Sequence, residues 1–164
     1  MLRVFICYGK KQGEQIGKRL RKYLRNQGMD AFLASPLSPD IPAGADRDKF
    51  IDQRLFSSHV VVPICDSGIH RSTPAKKELS KAIDKGIPIV AFIRGKCRVP
   101  KEIQGKWVPV RFSPTNSKSA YPQLMLMIYR TIDWKREQSE DTSLARPMRL
   151  PLFSELKNLL RRHT

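Results

Sequence analysis

Acidic residues are scarce in this chain. Fifteen Asp and Glu stand against 31 Lys and Arg in 164 residues, which leaves a formal charge of +16 at pH 7. That excludes an acidic tail or a mimic of nucleic acid, and it favours attraction to anions: nucleotides, nucleic acid or anionic lipid. Long hydrophobic runs are missing as well. None approaches the ~18 residues of a membrane span. The longest, from Val60 to Cys65, is the size of one core strand. The opening run from Met1 to Cys7 is too short for a signal segment and is followed at once by Lys10 and Lys11. A cytoplasmic protein without a membrane partner is the expectation. Cysteine is rare and odd in number, three in all, at no metal-binding spacing. Cys7 and Cys65 fall in apolar strands and read as buried free thiols. His59, His70 and His163 are the three histidines, and none is paired at metal spacing. His59 opens a strand and reads as structural, while His70 lies in a loop beside the strand ends, a weak candidate for ligand contact. Neither G-x-G-x-x-G after the first strand nor G-x-x-x-x-G-K-[ST] is present, which excludes by motif a Rossmann dehydrogenase and a P-loop NTPase. No metal and no resident cofactor are expected.

What is present is a globular composition, 40% hydrophobic and 28% charged. Val4 to Tyr8 is a continuous apolar run and reads as a strand buried on both faces. Ile16, Leu20, Tyr23 and Leu24 follow at helical spacing, and that helix ends near Gly28. Met29 to Ala34 is a second strand. Three prolines and a glycine between Ser35 and Ala45 exclude regular structure there. Asp46 can cap a helix that buries Phe50, Ile51 and Leu55. His59 to Cys65 is a third strand. Thr73 is the expected cap of the next helix, with Pro74 at its first position and Ala75, Leu79, Ala82 and Ile83 inward. Pro88 to Ile93 and Trp107 to Phe112 complete five strands, and Tyr121 to Trp134 is a last helix. Strands joined by helices must run parallel, so the expected fold is α/β: an open, flavodoxin-like parallel five-stranded sheet with helices on both faces. Residues 136–150 read as a polar linker, and 151–164 as a C-terminal amphipathic tail helix with Leu152, Phe153, Leu156, Leu159 and Leu160 on one face.

Ligands of open α/β sheets bind beyond the carboxyl ends of the strands. Those ends are Tyr8-Gly9-Lys10, Ser35, Asp66-Ser67-Gly68 and Arg94-Gly95. Glycines, small hydroxyls and cations there suit a phosphate-bearing ligand. The first helix is basic, with Lys18, Arg19, Arg21, Lys22 and Arg25 against the single acid Glu14. No aromatic is interleaved on its polar face, so a solvated helix is expected and sequence-specific nucleic-acid binding is not.

Three pieces in order resemble the Toll/interleukin-1 receptor (TIR) domain family over residues 2–135. Val4-Phe5-Ile6-Cys7-Tyr8 resembles the family's first-strand box, usually F-I-S-Y. Asp40-Ile41-Pro42-Ala43-Gly44-Ala45-Asp46 resembles the end of its BB loop, commonly I-P-P-G-x-D. Ser72 to Leu79 resembles its third-helix box, commonly S-x-W-x-x-K-E-L. Where members often have Ser, Asp and Trp, this chain has Cys7, Ala34 and Pro74. The resemblance implies a TIR domain over residues 1–135 and two classes of function. One is an enzyme that cleaves the nicotinamide–ribose bond of NAD+ to ADP-ribose or a cyclic isomer, in immune or antiviral defence signalling. The other is a non-enzymatic scaffold acting through TIR–TIR assembly. It maps the catalytic glutamate onto Glu78 and places Tyr8, Gly9, Lys10, Ser35, Ser67 and Lys77 at the substrate, with Lys11 and Arg94 near its phosphates. It also implies self-association through the 35–46 loop, by Leu37, Ile41, Pro42 and Gly44, and a partner effector protein. A nucleoside deoxyribosyltransferase, a flavodoxin-like enzyme that also sets a glutamate at a sugar, is disfavoured by the Ile41–Gly44 loop. On the residues alone, Glu78 and Lys81 at i, i+3 read as a solvated ion pair.

Overall fold

Five strands alternate with four helices in the computed structural model, which describes residues 1–138. Strand β1 (Arg3–Cys7) leads to α1 (Lys11–Asn26), β2 (Asp30–Leu33), α2 (Arg47–Phe56) and β3 (Val60–Cys65). Helix α3 (Thr73–Asp84), β4 (Val90–Arg94), β5 (Val108–Phe112) and α4 (Tyr121–Gln138) follow. The sheet is parallel throughout, in the order β2-β1-β3-β4-β5. The expected α/β architecture is therefore present. The proposed linker from 139 onward and the tail helix at 151–164 lie outside the described residues.

Side chains alternate between two cores, as period-2 strands buried on both faces require. Val4, Ile6, Val62 and Phe92 join α1 and α4 on one face, where Phe92 stacks on Phe112 with centroids 4.2 Å apart. Phe5, Cys7, Val61 and Ile93 join α2 and α3 on the other. Side-chain caps fix where α2 and α3 start. Asp46 accepts a hydrogen bond from the Lys49 amide at 3.2 Å, as expected. The cap of α3 is Ser72, one residue before the expected Thr73: its hydroxyl accepts from the Ala75 amide at 3.3 Å. Thr73 and Pro74 then fill the first turn, where a missing amide hydrogen costs nothing.

Chain reversal is sharpest where β1 meets β3, because their following connections leave toward opposite sides. That crevice is closed by backbone. A Cβ at Gly9 would overlap the carbonyl of Gly68 and the amide of Ile69, so the loop after β1 lies directly on the loop after β3.

Candidate functional site

Glu78 stands in the second turn of α3, half-buried at the rim of its apolar stripe. Its neighbour Lys81 pairs with another acid. The Lys81 ammonium binds both oxygens of Asp52 on α2 at 2.7 Å, tying α3 to α2 in place of the expected pair with Glu78. Glu78 makes no hydrogen bond or ion pair among the described residues. Burial pushes its carboxyl up to about 8; the Lys81 charge lowers it and the Asp52 charge raises it, both by less than desolvation does. Cys7 at the end of β1 feels the Glu78 charge, and its thiol is raised first by burial and then by that charge. A thiol so placed stays protonated and forms an apolar wall rather than a nucleophile.

Across the sheet edge the residues form a second group. Tyr8 follows Cys7 and turns to the α1 face, where burial raises its phenol and a hydrogen bond with Ser35 offsets part of the effect. Buried Ser35 lies 3.5 Å from Glu14, which also pairs with Lys18 at 2.9 Å. The Ser35 hydroxyl further accepts from the Leu37 amide, which anchors the start of the 35–46 loop. The Tyr8 phenol senses the Glu78 charge, so the two groups share one electrostatic environment at the carboxyl edge.

The remaining candidates scatter around this centre. Gly9 is occupied by the Gly68–Ile69 backbone and offers no open face there. Lys10, Lys11, Ser67 and Lys77 are exposed. Arg94 donates to Gln12 Oε1 at 2.7 Å. His59 is structural, its Nδ1 accepting from the Arg3 amide, and burial lowers its pKa. His70 donates from Nε2 to the Arg98 carbonyl at 3.0 Å. No metal-binding group of three His, Cys, Asp or Glu occurs among the described residues. Two acids named in the sequence without a role of their own acquire one in the structure. Asp66, only 1% exposed, accepts the Gly68 amide at 2.9 Å, and Glu14 enters the Tyr8–Ser35 network. An acid directly after an all-apolar strand, and a lone acid in a basic helix, were the available signals.

The 35–46 loop is fixed at its middle and open at its tips. Asp40 takes Arg25 at 2.7 Å and Arg21 at 3.2 Å, both from α1. Leu37 is 86% exposed, Pro42 and Gly44 are exposed, and Ile41 is half-buried. Gly44 has φ +80°, a conformation that few other residues adopt.

The family model described as "TIR domain" matches residues 4–145. No curated protein matches. Among solved structures, the chain is similar to a 2-deoxyribosyltransferase from Bacillus psychrosaccharolyticus at 14% identity and TM-score 0.48, covering 66% of this chain and 85% of that one. It is also similar to a conserved protein from Enterococcus faecalis V583 at 13% identity and TM-score 0.45, covering 82% and 99%. No helix among the described residues is long and apolar enough to cross a membrane.

Proposed function

Because the chain belongs to the TIR domain family, we propose that it cleaves the nicotinamide–ribose bond of NAD+, with Glu78 as the carboxylate at the ribose and no resident cofactor. The observation that carries this reading is a half-buried glutamate at the carboxyl edge, without an ion pair among the described residues, while Lys81, one turn on, is committed to Asp52. A structural surface glutamate would be expected to take that lysine.

The chemistry follows from charge. As the C1′–N1 bond breaks, its electron pair leaves with nicotinamide, which becomes neutral and needs no strong general acid. Positive charge develops on the ribose as an oxocarbenium-like state. A carboxylate fixed beside it in a poorly solvated rim stabilises that charge more than it would in water. Glu78 is largely protonated at neutral pH in the free protein, given its pKa of about 8. The cationic nicotinamide ring of the substrate favours its ionised form. Water at C1′ then gives ADP-ribose and a released proton; an atom of the same molecule in place of water gives a cyclic isomer. Tyr8 and Ser35 would hold the opposite side of the ligand, with the exposed Lys10 and Lys77 free to meet phosphate.

The exposed Leu37 and the open tips of the 35–46 loop favour a second reading, in which the domain also signals by self-association or by engaging a partner effector. Both readings meet one experiment. Concentrated protein incubated with NAD+ and resolved by chromatography is expected to release nicotinamide. Glu78→Gln is expected to lose at least about a hundredfold in rate, within the range for removing one charge-stabilising group. Wild-type turnover in Glu78→Gln would overturn the assignment. No turnover by wild type at any concentration would leave the assembly reading.

A further inference from the structure

On the face of the sheet opposite α3, a cleft of about 950 Å3 opens between α1 and the start of α4. Its size lies in the range of small-molecule sites. Arg19 and Lys22 enter it from one side of α1, and Lys118 from the turn before α4. All three are exposed, and none makes a side-chain hydrogen bond or ion pair among the described residues. Three further cations of α1 are used, Lys18 by Glu14 and Arg21 and Arg25 by Asp40, while Lys11 is exposed at the start of the helix. Past its first residue, the positive charge left unpaired on this helix therefore lies at the cleft.

The wall beneath those cations is aromatic. Tyr23 and Tyr121 line the cleft with ring centroids 4.9 Å apart. The Tyr121 hydroxyl is buried with no hydrogen-bond partner, in a residue only 3% exposed. That hydroxyl is closed off from the cleft as well as from solvent, so Tyr121 contributes its ring and not its hydroxyl to the wall. Asn26 adds an amide that can both donate and accept. A smaller cavity of about 180 Å3 shares Arg19 and Lys118 and continues toward Arg94, extending the basic lining.

From this geometry we propose that the α1–α4 cleft is a second ligand site, for a phosphate-bearing molecule with a flat ring: the chemical class of a nucleoside phosphate. Phosphate meets Arg19, Lys22 and Lys118, and the ring lies along the tyrosine wall, with Asn26 at its polar edge. The site is separate from Glu78, which projects from a helix on the other face, so it stands whatever Glu78 does.

Calorimetric titration with AMP tests it, with adenosine and inorganic phosphate as half-ligands. AMP is expected to bind more tightly than either half. Arg19→Ala and Lys118→Ala, both at exposed positions, are each expected to weaken it about tenfold, as for loss of one charged hydrogen bond. Lys101→Ala, an exposed cation elsewhere, should leave it unchanged, and a binding event should persist in Glu78→Gln. Unchanged affinity in Arg19→Ala and Lys118→Ala, equal weakening in Lys101→Ala, or no heat at millimolar AMP would each overturn the proposal. So would AMP binding lost only in Glu78→Gln. A change of oligomeric state in Arg19→Ala without AMP would make this face an interface between copies and overturn it too.

Discussion

Glu78 is a residue whose environment opposes its charge. The folded protein holds a proton there up to about pH 8, whereas the unfolded chain releases it near 4.5. More protons are bound in the folded state between those values, so this group makes stability fall as pH rises from about 4.5 to about 8. Glu78→Gln removes that dependence. Its melting temperature should match wild type near pH 4 and exceed it at pH 9, which thermal denaturation across pH measures directly; equal curves at both pH values would place the carboxyl in water. NAD+ cleavage should show the reverse trend, with kcat/KM rising through an apparent pKa near 8 as the carboxylate forms. The glutamate itself was legible in the sequence, through the Ser72–Leu79 box. Its unpaired state was not. Lys81 lies three residues away in sequence, and only the docking of α2 shows that Asp52 outcompetes Glu78 for it.

At the scale of elements, periodicity read well and ends read less well. The five strands and four helices follow from apolar runs and 3.6-residue stripes, and the Asp46 cap follows from its position before Phe50 and Ile51. The start of α3 slipped by one because Ser72 and Thr73 are both good caps and Pro74 is tolerated anywhere in the first turn. Ser72→Ala should therefore cost about 1 kcal/mol and lower Tm by about 3 °C. A wild-type Tm in that variant would mean that Thr73 takes over the cap. Gly9 was read as space for a ligand, but the chain fills that space with Gly68 and Ile69. Packing of two loops distant in sequence leaves no trace in local pattern.

For the whole molecule, the 35–46 loop is the surface with most to gain from a second copy. Arg21 and Arg25 hold Asp40 while Leu37 stays in water, so the loop presents an apolar tip on a fixed base. A contact of this kind between unlike surfaces builds chains as readily as pairs. Specific activity on NAD+ should fall on hundredfold dilution, and Ile41→Asp or Gly44→Arg should lower it with the circular dichroism spectrum unchanged. Flat activity on dilution with an unaffected Ile41→Asp would mean a site complete in one protomer.

The strand order β2-β1-β3-β4-β5 also sets how the chain can be built. Of the five described strands, β1 is made first and is interior, and the next two of them to leave the ribosome, β2 and then β3, pair on its two sides. With α1 already in place, β2-β1-β3 is a small sheet with its own apolar face before β4 is synthesised. Among the described residues the later strands join the same outer edge in the order they emerge, β4 on β3 and β5 on β4. None of these pairings has to open to admit a later one of the five, so their synthesis and assembly run in one direction, with β2 left as the lasting edge on the other side.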